Sequence, residues 1–301
     1  MLAAEALPRI IFVLGKGGVG RSTVAAALGS ALAHQGERVL VLQWAVADAI
    51  APWFGFPPAG PTPFEVSPRL SVANFSLEEG MRGYFVDHLH LGLVYRRVIR
   101  AEPVWRLIEV APGISEIFFL GELWWLLTLA AREQRWCFDR VVVDAPATGH
   151  GASLLDVPAT LSAMGASGLL ALEVHRVVDL MADPKRTGAL VVALPEPLVM
   201  AETIELVPRV TQRLGRPPLA LLVNRSATAL ASPDEHPGWI PALPVSARTR
   251  EAIVTLHEEL RTRARLEVEL DASLPELLGL SPADVVRAMS RDVSSRLLGA
   301  D

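Results

Sequence analysis

The sequence predicts an α/β fold with a doubly wound, mostly parallel sheet. Six short runs rich in Val, Ile and Leu recur along the 301 residues, and each is typical of a strand buried on both faces. Stretches with helical spacing, such as Ser22 to Gln35, separate several runs, and this alternation indicates helices on both sides of a parallel sheet. The six predicted strands are Arg9 to Leu14, Arg38 to Gln43, Arg69 to Phe75, Arg140 to Asp144, Gly188 to Leu194 and Pro218 to Asn224.

Two parts of the chain depart from this alternation. From Leu77 to Trp136 apolar residues recur about one helical turn apart, which predicts a helical subdomain over residues 76–136. We expect this subdomain to be inserted into a single domain of residues 1–301, with further helices over residues 159–181 beside it. Loops are predicted for two segments rich in proline and polar residues, 57–68 and 232–244.

The composition limits the compartment and the kind of partner. The 28 basic and 33 acidic residues give a formal net charge of -5, so there is no basic surplus for a nucleic-acid backbone. The single cysteine, Cys137, allows no internal disulfide and no cysteine-paired zinc site. The apolar block Phe118 to Ala131 is shorter than the ~20 residues that a membrane-spanning helix needs. We therefore expect a cytoplasmic protein without nucleic acid, zinc or stable membrane insertion.

A glycine-rich segment follows the first predicted strand and precedes an Ala-rich helix. In this context glycines allow backbone N–H groups to converge on a phosphate, and the dipole of the helix adds positive potential. The hydroxyl of Ser22 is suited to bind Mg²⁺. A tight glycine turn without a ligand is the alternative interpretation. The candidate nucleotide-binding residues are Gly15, Lys16, Gly17, Gly18, Val19, Gly20, Arg21, Ser22 and Thr23.

Two basic residues of this loop have an unusual placement. Arg21 stands where a phosphate loop normally carries lysine, and its forked guanidinium is bulkier than an ammonium group. We expect phosphate binding to survive this change better than the geometry of hydrolysis. Lys16 directly follows the first glycine, and a solvated surface lysine is the alternative to a role in phosphate binding.

A second motif begins at the end of the fourth predicted strand. Asp144 ends an apolar run and is Walker B-like, placed to hold Mg²⁺ through water. The segment Asp144 to His150 reads Asp-x-Pro-x-Thr-Gly-His, which resembles switch II of the arsenite-pump and tail-anchored-protein-targeting ATPases, P-loop proteins with a deviant Walker A loop. This resemblance implies ATP or ADP and Mg²⁺ as cofactors and catalytic roles for Lys16, Arg21 and Asp144. It also implies a dimer in which Lys16 reaches the phosphates bound by the other subunit.

Further matches to this family extend over most of the chain. In the family the asparagine that ends a late strand contacts adenine, so the resemblance implies this role for Asn224. Such an asparagine can otherwise cap a turn. The matching segments are Ala111-Pro112-Gly113, Asp183-Pro184 with Thr187, Pro195-Glu196 with Glu202-Thr203, and Leu222-Val223-Asn224.

The segment after the second predicted strand departs from the family. There an aspartate usually orients the attacking water, whereas this chain has Ala45 at that position and Gln43 nearby. Neither side chain accepts a proton from water at pH 7, and Asp48 is the nearby carboxylate that could substitute. A positioned general base contributes ~10²- to 10⁴-fold in rate, whereas phosphate affinity depends mainly on backbone donors and Mg²⁺. We therefore expect nucleotide binding with slow hydrolysis.

The apolar run from Phe118 to Leu127 has two interpretations. By resemblance to the family, helices of this region form a groove for a hydrophobic client helix. Alternatively, the run is core packed against the sheet, because buried helices are often apolar all round. The paired or clustered cysteines with which family members bind zinc or metalloid have no counterpart here, since Cys137 stands alone.

Two functions fit these observations. The first is an ATP-dependent dimeric switch that couples its nucleotide state to a protein client. The second is a non-catalytic, regulatory subunit of a heterodimer with an active paralogue, which the substitutions at Arg21 and Ala45 favour. Lys16 fits either function. A partition-type ATPase is disfavoured by the acidic charge balance and by the mixed charges of Arg287 to Leu298.

Overall fold

A mixed sheet forms the centre of the chain in a computed structural model, which describes residues 7–111, 113–132, 138–146, 154–157, 160, 168–226, 254, 258, 272–275 and 281–298. Within these ranges eight strands are joined in one sheet. The strands are β1 (Ile10–Gly15), β2 (Val39–Gln43), β3 (Phe64–Ser67), β4 (Leu70–Asn74), β5 (Arg140–Asp144), β6 (Thr187–Ala193), β7 (Ala220–Ser226) and β8 (Ala272–Pro275).

The strand order is β3-β4-β2-β5-β1-β6-β7-β8. The six predicted strands are all present, and each pairs in parallel with its neighbours among the six. The fold class is confirmed. The segment 57–68, predicted as a loop, contains the antiparallel strand β3, and that prediction was wrong for these four residues. In this short edge strand, half-buried Phe64 and buried Val66 alternate with more polar residues. Prolines lie on both sides of the strand, and they led to the prediction of a loop.

Helices cover both faces of the sheet. One face packs against the first and the last of the described helices, and the other face packs against the helices that precede and follow β5 and β6. The helices are α1 (Arg21–His34), α2 (Ile50–Trp53), α3 (Leu77–Arg82), α4 (Gly92–Val94), α5 (Glu102–Val110), α6 (Ile114–Arg132), α7 (Gly168–Ala182), α8 (Pro197–Leu214) and α9 (Pro282–Asp292).

The region between β4 and β5 is helical, as predicted. Wider π-helical turns extend α3 over Gly83–His88 and α4 over Tyr95–Ile99. A small core of its own lies among these helices, built around Met81, Tyr95 and Ile108. That residues 76–136 form a separate inserted subdomain stays a prediction. Residues 133–137 lie outside the described part of the chain. Of the predicted helical segment 159–181, residues 159 and 161–167 also lie outside it.

The long helix α6 has two different sides, which divides the apolar run from Phe118 to Leu127. Five residues of this run are buried in the core between α6 and the sheet, namely Phe119, Leu120, Leu123, Leu126 and Leu127. The interpretation as core is therefore correct for this side of the helix. The opposite side lines a cavity together with α3 and its π-helical extension.

No single helix among the described residues is both long and apolar enough to cross a membrane. The pair formed by α5 and the first part of α6 reaches that length and composition only when taken together, and it is bent by 84°.

Candidate nucleotide site

The glycine loop lies at the carboxyl end of β1, between β5 and β6 in the sheet. Gly18 and Gly20 have positive φ angles of 83° and 87°, which turn the chain sharply into α1. Gly20 is the residue before the helix, and no side chain caps the N-terminus of α1. The first amides of this helix therefore remain available to an anion, and an added Cβ at Gly17 or Gly18 would meet nothing within 4 Å. This loop has the form of a phosphate cradle.

Asn224 holds the loop from the side of β7. Its buried amide donates from Nδ2 to the Val19 carbonyl oxygen at 2.8 Å and accepts at Oδ1 from the Arg225 N–H at 2.9 Å. A Cβ at Gly20 would lie 2.3 Å from Nδ2 of this asparagine. The side chain thus orders the loop backbone, a role that the sequence did not predict. Contact with adenine stays a prediction.

Replacing Gly20 with alanine is expected to lower the free energy of unfolding by about 2 kcal/mol. The added methyl group would clash with Asn224, and a non-glycine residue in the left-handed region costs ~1 to 2 kcal/mol by itself. Urea unfolding measures the change. Gly17→Ala is the matched control because its Cβ would have open space. Equal stability of the two variants would contradict this view of the loop.

The Arg21 guanidinium folds back along the loop. One terminal nitrogen donates to the Gly15 carbonyl oxygen, while the buried Nε has no partner among the described residues. Burial lowers the pKa of Arg21, and the nearby Asp144 partly opposes that effect. A buried N–H without an acceptor is costly, and a phosphate oxygen would satisfy it. The arrangement at this position therefore fits an anionic ligand.

Ser22 and Asp144 meet beneath the loop. The Ser22 side chain lies near the Asp144 carboxylate, which accepts a hydrogen bond from Nε2 of Gln43 at 2.7 Å. Burial raises the pKa of Asp144, and the side chains of Ser22 and Gln43 together with the charge of Arg21 act against that rise. A hydroxyl and a carboxylate oxygen side by side suit Mg²⁺, which prefers oxygen ligands and binds beside phosphates. These two residues fit the predicted metal site.

Gln43 connects Asp144 to the segment that follows β2. Its Oε1 accepts from the Ala49 N–H at 3.2 Å while its Nε2 donates to Asp144, and the side chain is buried. From the sequence, Gln43 was only a nearby alternative to Ala45 for the position at which the family carries its aspartate. The register of β2 and β5 places Gln43 directly beside Asp144. Gln43 and Asp144 are the last residues of two adjacent parallel strands, so aligning the ends of these strands would have predicted the contact.

Asp48 has a structural role in this conformation. Its carboxylate accepts from the N–H groups of Ile50, Ala51 and Ala59 at 2.7, 3.1 and 2.7 Å, which caps α2 and ties down the following turn. The side chain is 5% exposed. If it swung away to act as a base, three backbone donors would lose their acceptor, at ~1 to 3 kcal/mol for each one that stays buried. The structure thus opposes Asp48 as the substitute for the missing aspartate.

Ala45 lies on the exposed outer part of the same segment. Asn74 fixes its backbone with two hydrogen bonds of 3.0 Å, one from the Ala45 N–H to Oδ1 and one from Nδ2 to the Ala45 carbonyl oxygen. The methyl side chain has no acid–base chemistry. The structure therefore holds the backbone of Ala45 in place but gives this position no acid–base group.

Lys16 forms an ion pair with Glu202 of α8 in the same chain. About half of the lysine side chain is exposed to solvent. Lys16 is therefore more than a solvated surface residue, and its reach across a dimer interface stays a prediction. The switch II residues Ala147 to His150 and the single Cys137 lie outside the described residues.

Comparison with known proteins agrees with this geometry. A family model described as Anion-transporting ATPase matches residues 8–167, more than half of the chain, including the glycine loop and Asp144. The chain belongs to the anion-transporting ATPase family. Membership of this ATPase family confirms the resemblance inferred from the motifs and accounts for the doubly wound sheet. It does not test the roles of single residues.

Several members of the anion-transporting ATPase family are related at moderate identity. ATPase BagA of Mycobacterium tuberculosis is 28% identical over 232 residues, covering 75% of this chain and 68% of that protein. An arsenical pump-driving ATPase of Acidiphilium multivorum is 31% identical over 214 residues, covering 64% of this chain and 35% of that protein. The putative arsenical pump-driving ATPase 2 of Aquifex aeolicus is 31% identical over 150 residues, 49% of this chain and 48% of that protein. This chain matches about half or less of either arsenical relative.

Proposed function

We propose that this chain is an ATP-binding switch that dimerises with nucleotide, couples its nucleotide state to a protein partner and hydrolyses ATP slowly. The observation that supports this most directly is the meeting of the uncapped N-terminus of α1 with Ser22 and Asp144 at one edge of the sheet. Bound ATP would supply the γ-phosphate that is transferred to water, and Mg²⁺ would neutralise its charge. The loop amides and Arg21 would hold the phosphates, and Ser22 and Asp144 would hold the metal.

The slow rate is proposed from the residues around the phosphate end of the site. Ala45 offers no acceptor for the proton of an attacking water, and the carboxylate of Asp48 is occupied by three backbone donors. Arg21 is turned toward Gly15. Binding would need none of these features to change, because it would rely on the backbone amides of the loop and on the oxygen atoms of Ser22 and Asp144.

A second candidate is a regulatory subunit paired with an active paralogue. The same inert position at Ala45 favours it, and Lys16 would then serve the paralogue's site by exchanging Glu202 for a phosphate. The two candidates differ in what the native assembly contains. Native mass measured from an extract of the source cells should include a related chain of similar size if the second is correct. A stable homodimer with two occupied sites would argue for the first.

Calorimetry with Mg-ATP tests the proposed function directly. We expect the purified protein to bind Mg-ATP, and we expect chelation of Mg²⁺ to weaken binding by at least ~10-fold because Ser22 and Asp144 then have no metal to hold. Asp144→Asn should bind no better than the metal-free protein. Asp179→Asn, on an exposed part of α7, is the matched control and should behave as the unmodified protein. Absence of any nucleotide uptake would refute the proposal.

A further inference from the structure

A cavity of about 600 Å³ lies between α6 and the π-helical extension of α3, and none of the candidate nucleotide-site residues lines it. Its walls are mainly apolar and aromatic and include Tyr84, Phe85, Phe118, Trp124 and Trp125. Binding sites for small organic molecules have volumes of ~300 to 1,000 Å³ and walls of this kind. The cavity is thus of the size and composition of a small-molecule site.

Its size argues against a client helix inside it. A helix about 10 Å across that rises ~1.5 Å per residue takes up ~120 Å³ for each residue, so the cavity would hold only ~5 helical residues. The occupant that the dimensions favour is therefore a small molecule.

One polar group in this cavity has no partner. Glu122 of α6 lines the wall, and among the described residues none is hydrogen-bonded or ion-paired to its carboxylate. Burial raises the pKa of Glu122 to about 7. A half-buried carboxylate on an apolar wall is costly without a counter-ion, and a cation placed beside it would remove that cost. The orphaned carboxylate marks the point in the cavity where a positive group would bind.

The other charges of the lining also favour a cation. Arg82 is bonded to both Glu79 at 2.8 Å and Asp87 at 3.4 Å, so its one positive charge is shared between two carboxylates at the half-exposed mouth. Counting Glu122, the lining carries three carboxylates and one guanidinium. The aromatic rings add favourable contacts, because their faces attract cations by ~0.5 to 2 kcal/mol. Arg176 lies over the Trp124 ring, 4.8 Å from its centroid, and does not line the cavity.

We propose that this cavity binds a small amphiphilic cation, with its ammonium group beside Glu122 and its apolar body against Phe118 and Trp125. Neutral and anionic amphiphiles of the same length would find the same apolar walls but no counter-charge for Glu122. The proposed ligand class therefore follows from the charge as much as from the shape. It does not depend on the nucleotide function.

Calorimetric titration with three ten-carbon probes tests this proposal. We expect decyltrimethylammonium to bind at least ~10-fold more tightly than decanol or decyl sulfate at pH 8, where the Glu122 carboxylate is ionised. Affinity for the cation should fall as the pH is lowered from 8 to 6, because Glu122 becomes protonated. The other ionisable side chains of the cavity wall are Glu79, Arg82, Tyr84 and Asp87.

Two variants distinguish a charge effect from general hydrophobic binding. Glu122→Gln should bind the three probes with similar affinity, whereas Glu116→Gln, which removes a charge from α6 outside the cavity, should keep the preference for the cation. Equal binding of all three probes by the unmodified protein would overturn the proposal. So would a cation preference that survives in Glu122→Gln, or no binding of any probe.

Discussion

The Ala45→Asp variant is expected to hydrolyse ATP about 100-fold faster than the unmodified protein. A positioned general base contributes ~10²- to 10⁴-fold, and the lower end is appropriate because Arg21 remains in place of the usual lysine. Ala45 is exposed, so an aspartate there has room, and Asn74 fixes the backbone that would carry it. Steady-state release of phosphate under saturating Mg-ATP measures the change.

The matched control for this experiment is Ala47→Asp. Ala47 is exposed on the same segment, so this variant adds an identical charge two residues away from Ala45. We expect its rate to stay within about twofold of the unmodified protein. Equal acceleration by both variants would indicate an effect of charge alone. Rapid turnover by the unmodified protein would contradict the proposal that its hydrolysis is slow.

The Glu122→Gln variant is expected to be more stable than the unmodified protein at pH 8, with a free energy of unfolding that is higher by about 2 kcal/mol. Burial raises the pKa of Glu122 to about 7, from 4.5 for an unperturbed glutamate. Each unit of difference corresponds to ~1.4 kcal/mol, which gives an upper limit of about 3.4 kcal/mol. The side chain is half-buried rather than fully buried, which reduces the effect to the smaller value.

The sign follows from proton binding. The folded state holds the proton on Glu122 more tightly than the unfolded chain does. Protonated Glu122 therefore contributes to the free energy of unfolding, and this contribution is fully present below about pH 4.5. That contribution is lost as the pH rises through about 7. Urea unfolding between pH 4.5 and 8 should therefore show the two proteins diverging with rising pH. Glu116→Gln on the same helix is the control, and a parallel pH dependence of Glu122→Gln and the unmodified protein would contradict the assignment.

The central strands could be predicted from sequence because they are buried on both faces. Continuous runs such as Val141 to Val143 need no knowledge of their neighbours, since apolar residues on both sides of a strand indicate a covered sheet. The edge strands β3 and β8 have four residues each and carry no such signal. Their pairing depends on the partner strand, which a local pattern does not contain.

The candidate site was predictable where a local motif determines its chemistry. The glycine loop with Ser22 and the strand ending in Asp144 are examples, because strand, turn and helix follow one another in sequence. The contacts that join distant segments were not predictable in this way. Asn224 binds the carbonyl of Val19 across 205 positions, and Lys16 pairs with Glu202 across 186. Such contacts depend on the order of strands in the sheet.

Gln43 shows why one residue type suits its position. It meets a carboxylate that can only accept and a backbone N–H that can only donate, so the side chain between them must have one end of each polarity. Glutamate would set two negative groups against each other, and lysine would leave the N–H of Ala49 without an acceptor. If the amide were flipped, its oxygen would face the Asp144 carboxylate and its NH₂ group would face the Ala49 N–H, so neither hydrogen bond would form. A neutral amide of this length, in a single orientation, thus satisfies both neighbours without placing a second formal charge beside Asp144.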